Sequence, residues 1–201
     1  MLILVHGLGQ DKNSWAKVSK NLHQESVALS LPSISDFDSL YKIFEEECNK
    51  FEEKLTLCGL SLGGLLSLKY AINNPHKINK LILIATPYKI PRFLFSIQST
   101  IFRMLPISFF KKMNQSKENV LSLTNSLKNI NLEDNLNDIA TETLVVVGEK
   151  DFANKKSSKK MSQLLSKSTL EIIQSSGHEV NIDNPQDLAK TINNFLRDSK
   201  C

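Results

Sequence analysis

A serine set among glycines carries the clearest chemistry in this sequence. Gly59-Leu60-Ser61-Leu62-Gly63, followed by Gly64, stands between an apolar run at 54–58 and a helical pattern at 61–73. A strand that turns sharply into a helix forces its apex residue into strained dihedrals, and small neighbours keep such a turn from colliding with itself. The apex hydroxyl is then lifted above the strand ends at a helix N-terminus, where the dipole favours developing negative charge. Ser61 is therefore the expected nucleophile. The competing reading of the same residues is a glycine-eased turn with a capping serine.

A serine hydroxyl needs a base to take its proton, and the chain holds four histidines. His23 lies in a polar helical stretch and His76 follows Asn74-Pro75, which marks both as surface residues. His6 ends the first apolar run within His6-Gly7-Leu8-Gly9, where its ring is expected to hydrogen-bond loop backbone. His178 follows the last apolar run in Ser175-Ser176-Gly177-His178, a loop able to aim an imidazole at Ser61. A carboxylate must then fix the tautomer and stabilise the charged ring. Val147-Gly148-Glu149-Lys150-Asp151 offers two, and Asp151 is preferred to Glu149 because it lies farther into the loop. The alternative for Asp151 is a loop acid that caps the next helix. Backbone N–H groups are the simplest way to meet an oxyanion; Leu62, just after the serine, and Leu8, after the first run, are the expected donors. The chain order Ser61, Asp151, His178 is that of one scaffold among the convergent serine triads.

These residues must be held by regular elements. Short apolar runs at 2–5, 26–31, 54–58, 80–84, 143–147 and 169–173 have the length of buried strands. Amphipathic patterns at 13–23, 37–51, 61–73, 155–165 and 185–196 alternate with them, the last opened by Asn184 and Pro185. Alternating strands and helices predict an α/β fold with a mostly parallel sheet of about six strands covered on both faces. The segment 88–138 breaks the rhythm with helical periodicity, so the chain divides into core (1–87), a short helical lid (88–138) and core again (139–201). From 88 to 117 the lid holds Lys89, Arg92, Arg103, Lys111, Lys112 and Lys117 and no acid. Such a run is either a solvated basic face or a docking surface for an acidic partner or anionic ligand. Phe93, Phe95, Phe102, Phe109 and Phe110, with Leu94 and Leu105, either hold the lid to the body or line an acyl pocket; Phe93, Phe102 and Phe109 are the substrate-binding candidates.

With 201 residues, 41% hydrophobic and 23% charged, the chain has enough apolar material for one full core without staples. Cys48, Cys58 and Cys201 form no CxxC pair and read as reduced thiols. No apolar run has the roughly 18 residues of a membrane span, and the opening segment lacks a basic flank and a cleavage site. A cytoplasmic protein is expected. A net charge of +4 is too small to imply nucleic acid.

The residues resemble the α/β-hydrolase superfamily, and within it the small cofactor-free bacterial carboxylesterases related to pimeloyl-carrier-protein methyl esterase. The motifs are HGLG after the first strand, GLSLGG at the elbow, LILIATP before the lid, VVVGEKD at the acid, and SGHEVNIDNPQDLAKTINNFL at the base and closing helix. The resemblance implies Ser61 as nucleophile, Asp151 as acid, His178 as base, Leu8 and Leu62 as oxyanion donors, and no cofactor or metal. Relatives usually carry two or more strands before the HG loop and a glycine-rich turn after the second strand. Here His6 stands almost at the N-terminus, which suggests a sheet trimmed to about six strands, and the turn reads Leu31-Pro32-Ser33-Ile34-Ser35-Asp36 beside a short lid, which suggests an open site. The expected activity is hydrolysis of carboxylic esters with small or medium acyl chains through an acyl-enzyme, with an acidic acyl carrier protein as a partner suited to the basic lid. Two non-hydrolytic alternatives are a ligand sensor and a lyase of the menaquinone-pathway type. Such lyases typically place an arginine after the elbow glycines, where this chain has Leu65.

Overall fold

The computed structural model describes residues 1–90, Pro106 and 116–197. Its centre is a six-stranded, all-parallel sheet in the order β2-β1-β3-β4-β5-β6. The strands are β1 (Leu2–Val5), β2 (Ser26–Leu29), β3 (Leu55–Leu60), β4 (Ile78–Ile84), β5 (Glu142–Gly148) and β6 (Ser168–Ile173). All six expected strands form, with no end moved by more than two residues. The helices are α1 (Ala16–Ser19), α2 (Phe37–Asn49), α3 (Leu62–Asn73), α4 (Lys117–Ser126), α5 (Phe152–Leu164), α6 (Val180–Asp183) and α7 (Pro185–Arg197).

The central strands are buried along their length because both faces are covered. Alternation along each strand sends Ile3, Val5 and Leu57 to one side, where Phe37, Leu40 and Phe44 of α2 and Leu65 and Leu66 of α3 pack. It sends Leu2, Leu4, Cys58 and Leu60 to the other, against Trp15, Val18 and Leu188 and Ile192 of α7. Cys48 and Cys58 are free, buried thiols, and burial raises both.

The helix expected over 13–23 is replaced by a 3-10 turn, Lys12–Trp15, and the single turn α1. Asp11 starts this segment by accepting the Asn13 N–H at 2.7 Å. Tight turns at its end, Asn21 N–H to Val18 O and Leu22 N–H to Ser19 O, bring the chain down to β2. Within 88–138, the described residues are helical in α4 and in the 3-10 turns Leu127–Asn129 and Glu133–Asp138. The two ends of this segment meet through a Lys89–Asn131 bridge and the Leu132 N–H to Tyr88 O bond at 2.8 Å. No described helix is long and apolar enough to cross a membrane.

The strand order reverses between β1 and β3, because the chain goes outward to β2 and then returns to the far side of β1. The carboxyl ends beside such a switch point form the crevice in which open α/β sheets bind ligands. The HG loop leaves β1 there, and the serine follows β3.

Candidate active site

Ser61 sits between the last residue of β3 and the first of α3, with φ 52° and ψ −111°. That left-handed backbone costs a non-glycine residue on the order of 1–3 kcal/mol and persists only where the surroundings impose it. The surroundings here are tight. Ser61 N–H donates to Ile84 O of β4 at 2.9 Å, and Ser61 O accepts from Leu65 N–H at 2.9 Å. A Cβ at Gly63 would lie 2.3 Å from Val5 O and 2.6 Å from His6 O, and one at Gly59 would lie 2.3 Å from Gly63 O. The glycines thus let the elbow press against its own strand and the end of β1, rather than merely clearing two side chains from each other. The Ser61 side chain makes no capping hydrogen bond to α3, so the capping-serine reading does not describe it.

Asp151 and His178 come together although 27 residues separate them. His178 Nδ1 lies 2.8 Å from Asp151 Oδ2. Asp151 is 5% exposed, while His178 is exposed. The two readings of Asp151 prove compatible, since its Oδ1 also accepts the Asn154 N–H at 3.1 Å and caps α5. Its neighbour Glu149 is engaged elsewhere, accepting the Ser175 N–H at 3.0 Å. Glu149 therefore helps shape the histidine loop rather than touching the imidazole. That loop is held further by Lys150 N–H to Ser176 O at 2.8 Å and by Gly177 N–H to Asp183 Oδ2 at 2.7 Å.

Asn154 is a residue that motif reading missed. Its Nδ2 donates to both Asp151 oxygens at 2.9 Å and lies 3.2 Å from His178 Nδ1. Burial works to raise the Asp151 carboxyl, but hydrogen bonds from His178 and Asn154 outweigh it and hold the group below its ordinary value. The carboxylate thus stays ionised and aimed at the ring. The available signal was position alone: Asn154 stands three residues after a helix-capping aspartate, where the first turn turns back toward the cap.

The loop after β1 closes as a turn with Gln10 N–H donating to Gly7 O at 3.2 Å and a left-handed Gly9 (φ 86°). A Cβ on Gly7 would come 3.6 Å from Ser61 Cβ, so the loop carrying Leu8 lies directly against the elbow. Leu62 opens α3 and so has one of the N–H groups that a helix leaves without an intrahelical acceptor. His6 is buried, with Nδ1 2.9 Å from Gly7 O and Nε2 accepting the Leu31 N–H at 3.1 Å. The proton is therefore on Nδ1, and the ring ties the HG loop to the loop after β2. His23 and His76 are exposed. Phe93, Phe95, Phe102, Phe109, Phe110, Leu94, Leu105, Arg92, Arg103, Lys111, Lys112 and Cys201 lie outside the described residues.

The geometry brings Asp151 to His178 and places Ser61 at the same carboxyl edge, with β4 between the strands that carry Ser61 and Asp151. Such an edge can support nucleophilic attack, proton transfer and charge stabilisation.

Known proteins resemble this chain in sequence and in fold. A family described as "Serine aminopeptidase, S33" matches residues 32–130. The Biotin biosynthesis bifunctional protein BioHC of Teredinibacter turnerae is 24% identical over 98% of this chain and 44% of its own length. The Pimeloyl-[acyl-carrier protein] methyl ester esterase of Pseudoalteromonas atlantica is 33% identical over 43% of this chain and 37% of its own length. The chain thus spans less than half the length of these curated relatives. Among solved structures, MenH from S. aureus superposes with a TM-score of 0.83 at 20% identity, covering 100% of this chain and 94% of that one. Together with the six-stranded parallel sheet and its order, this superposition shows the α/β-hydrolase fold.

Proposed function

We propose that this protein is a member of the α/β-hydrolase superfamily and cleaves carboxylic esters through a covalent acyl-enzyme. His178 Nε2 takes the proton of Ser61 as its Oγ attacks the ester carbonyl, and Asp151 holds Nδ1–H and stabilises the imidazolium. The Leu8 and Leu62 N–H groups receive the oxyanion. The intermediate collapses, the alcohol leaves with the proton held by His178, and a water activated by the same imidazole releases the acid and restores Ser61. The observation that carries the proposal is the 2.8 Å Asp151–His178 hydrogen bond at the sheet edge that also bears the left-handed Ser61.

An ester is favoured over other acyl compounds because curated relatives are named as methyl ester esterases. The elimination reading is opposed by Leu65, which is 1% exposed within the apolar core where such lyases carry a cation. As substrate determinants we place Phe93, Phe102 and Phe109 in a lid comprising 88–138, with an acidic acyl carrier protein as the partner of its basic first part. Unchanged turnover of a carrier-bound ester after charge reversal of Arg92, Arg103 and Lys111 would remove that partner from the proposal.

The test of the reaction is hydrolysis of p-nitrophenyl esters from acetate to decanoate by wild type beside Ser61→Ala. A drop of on the order of 10⁴- to 10⁶-fold in the variant is expected. Equal rates in the two proteins would overturn the role of Ser61. Cleavage of p-nitroanilides in preference to every ester would replace ester hydrolysis with peptide hydrolysis.

A further inference from the structure

We infer that Gln10 and Asn181 are positioning residues, locking the loop that carries the Leu8 N–H to the loop that carries His178. The inference rests on the hydrolase reading above and deepens it.

The two loops leave β1 and β6, which have three strands between them in the sheet. Sheet hydrogen bonding therefore fixes neither against the other. Side chains make the connection. Gln10 Nε2 donates to Asn181 Oδ1 at 3.3 Å, and Asn181 Nδ2 donates back to Gln10 Oε1 at 3.0 Å. Gln10 Nε2 also donates to Glu179 Oε1 at 2.9 Å, and Asn181 Nδ2 reaches Ser14 O at 3.3 Å. Among the described residues, these side-chain bonds are the hydrogen bonds that join 7–15 to 178–183.

Burial makes the connection specific. Asn181 is 0% exposed, and a buried amide left without partners forfeits its full desolvation cost. Its partners lie on the first loop, so sliding either loop by one residue would strand the amide. At each end the latch sits beside the chemistry. Gln10 closes the turn that presents Leu8, while Glu179 and Asn181 follow His178 by one and three positions. An oxyanion must sit roughly 2.7–3.1 Å from its donors while the imidazole transfers a proton, so the distance between these loops is a catalytic coordinate. Val180 and Trp15, one from each segment, are both fully buried in the same apolar cluster.

The experiment compares wild type with Gln10→Met, which keeps the length of the side chain and removes its amide. Gln10 is only half-buried, so the fold is expected to survive. Three quantities are read: kcat and KM on the best p-nitrophenyl ester, affinity for an aryl boronic acid that becomes tetrahedral on Ser61, and amide hydrogen exchange over 7–15 and 176–184. A misplacement of this kind predicts a kcat loss of roughly 10- to 100-fold with KM little changed, a parallel loss of boronate affinity, and faster exchange in both segments. Gln10→Glu, which sets a carboxylate against Glu179, should be impaired, and adding Glu179→Gln should restore a donor–acceptor pair and recover activity. Faster exchange confined to 7–15, or unchanged kcat and boronate affinity, would overturn the latch. Failure of the hydrolase reading shows up separately, as Ser61→Ala matching wild type or as no ester turnover at all. In that case exchange in the 176–184 segment decides the coupling by itself.

Discussion

A Cβ placed on Gly148 would lie 2.1 Å from the carbonyl oxygen of Gly177 and 2.5 Å from that of Ser176. The strand that delivers Asp151 and the loop that delivers His178 therefore touch backbone to backbone. Gly148→Ala is expected to destabilise the protein by about 1–3 kcal/mol, the range for forcing extra volume into packed structure, and to lower kcat as the loops part. Gly177→Ala is expected to be milder, because its Cβ would meet only the Asp183 carboxylate at 3.2 Å. Urea unfolding of the two variants beside wild type checks the order.

Asn154 clamps both oxygens of Asp151. Asn154→Ala is expected to lower kcat by roughly tenfold, as loss of a group that orients another rather than the substrate, with KM unchanged. The lowered Asp151 carboxyl contributes stability that is complete above its ordinary value of 3.8 and lost as pH falls through the folded value. The variant should lose less stability than wild type over that acidic interval, which urea midpoints measured across it would show.

His6 gives the opposite kind of group the same sign. Burial holds its imidazole below the ordinary 6.5, against the raising influence of the Gly7 carbonyl and Asp11. The unfolded chain therefore takes up the proton more readily. Stability from neutral His6 is complete above 6.5 and lost as pH falls from there toward the folded value. In wild type the urea midpoint should fall between pH 7.5 and 5.5; in His6→Gln that fall should shrink. An equal fall in both would refute the assignment.

Lys80 offers a control away from the site. It is buried on β4, donates to Phe195 O at 2.5 Å, lies 3.3 Å from Glu142 and stands over the Phe195 ring at 4.4 Å. Lys80→Met leaves that carbonyl without its charged donor and is expected to cost about 1–3 kcal/mol. Turnover per folded molecule should not change, since the contact anchors the end of α7 rather than the loops of the site. Thermal unfolding with kcat measured well below Tm separates the two effects.

The sheet was legible because its signal is local. Stretches such as 81–84 and 144–147 are apolar and buried at every position, as strands covered on both faces tend to be. The serine elbow was legible for a similar reason, since the glycines that permit it are its chain neighbours. Local patterns also overreached. The stretch 13–23 carries helical periodicity, yet caps and tight turns around Asp11 and Val18 leave only a short turn there. What the residues alone left open were choices between partners far apart in the chain. Whether Asp151 or Glu149 meets His178 depends on where a loop 27 residues away comes to lie, and Glu149 is taken by Ser175 N–H once it lies there. Asn154 was marked only by its position after a capping aspartate, and the Gln10–Asn181 pair was not marked at all, for the same reason. A polar side chain has no periodicity that announces its partner, and only the folded chain brings donor and acceptor within hydrogen-bonding distance.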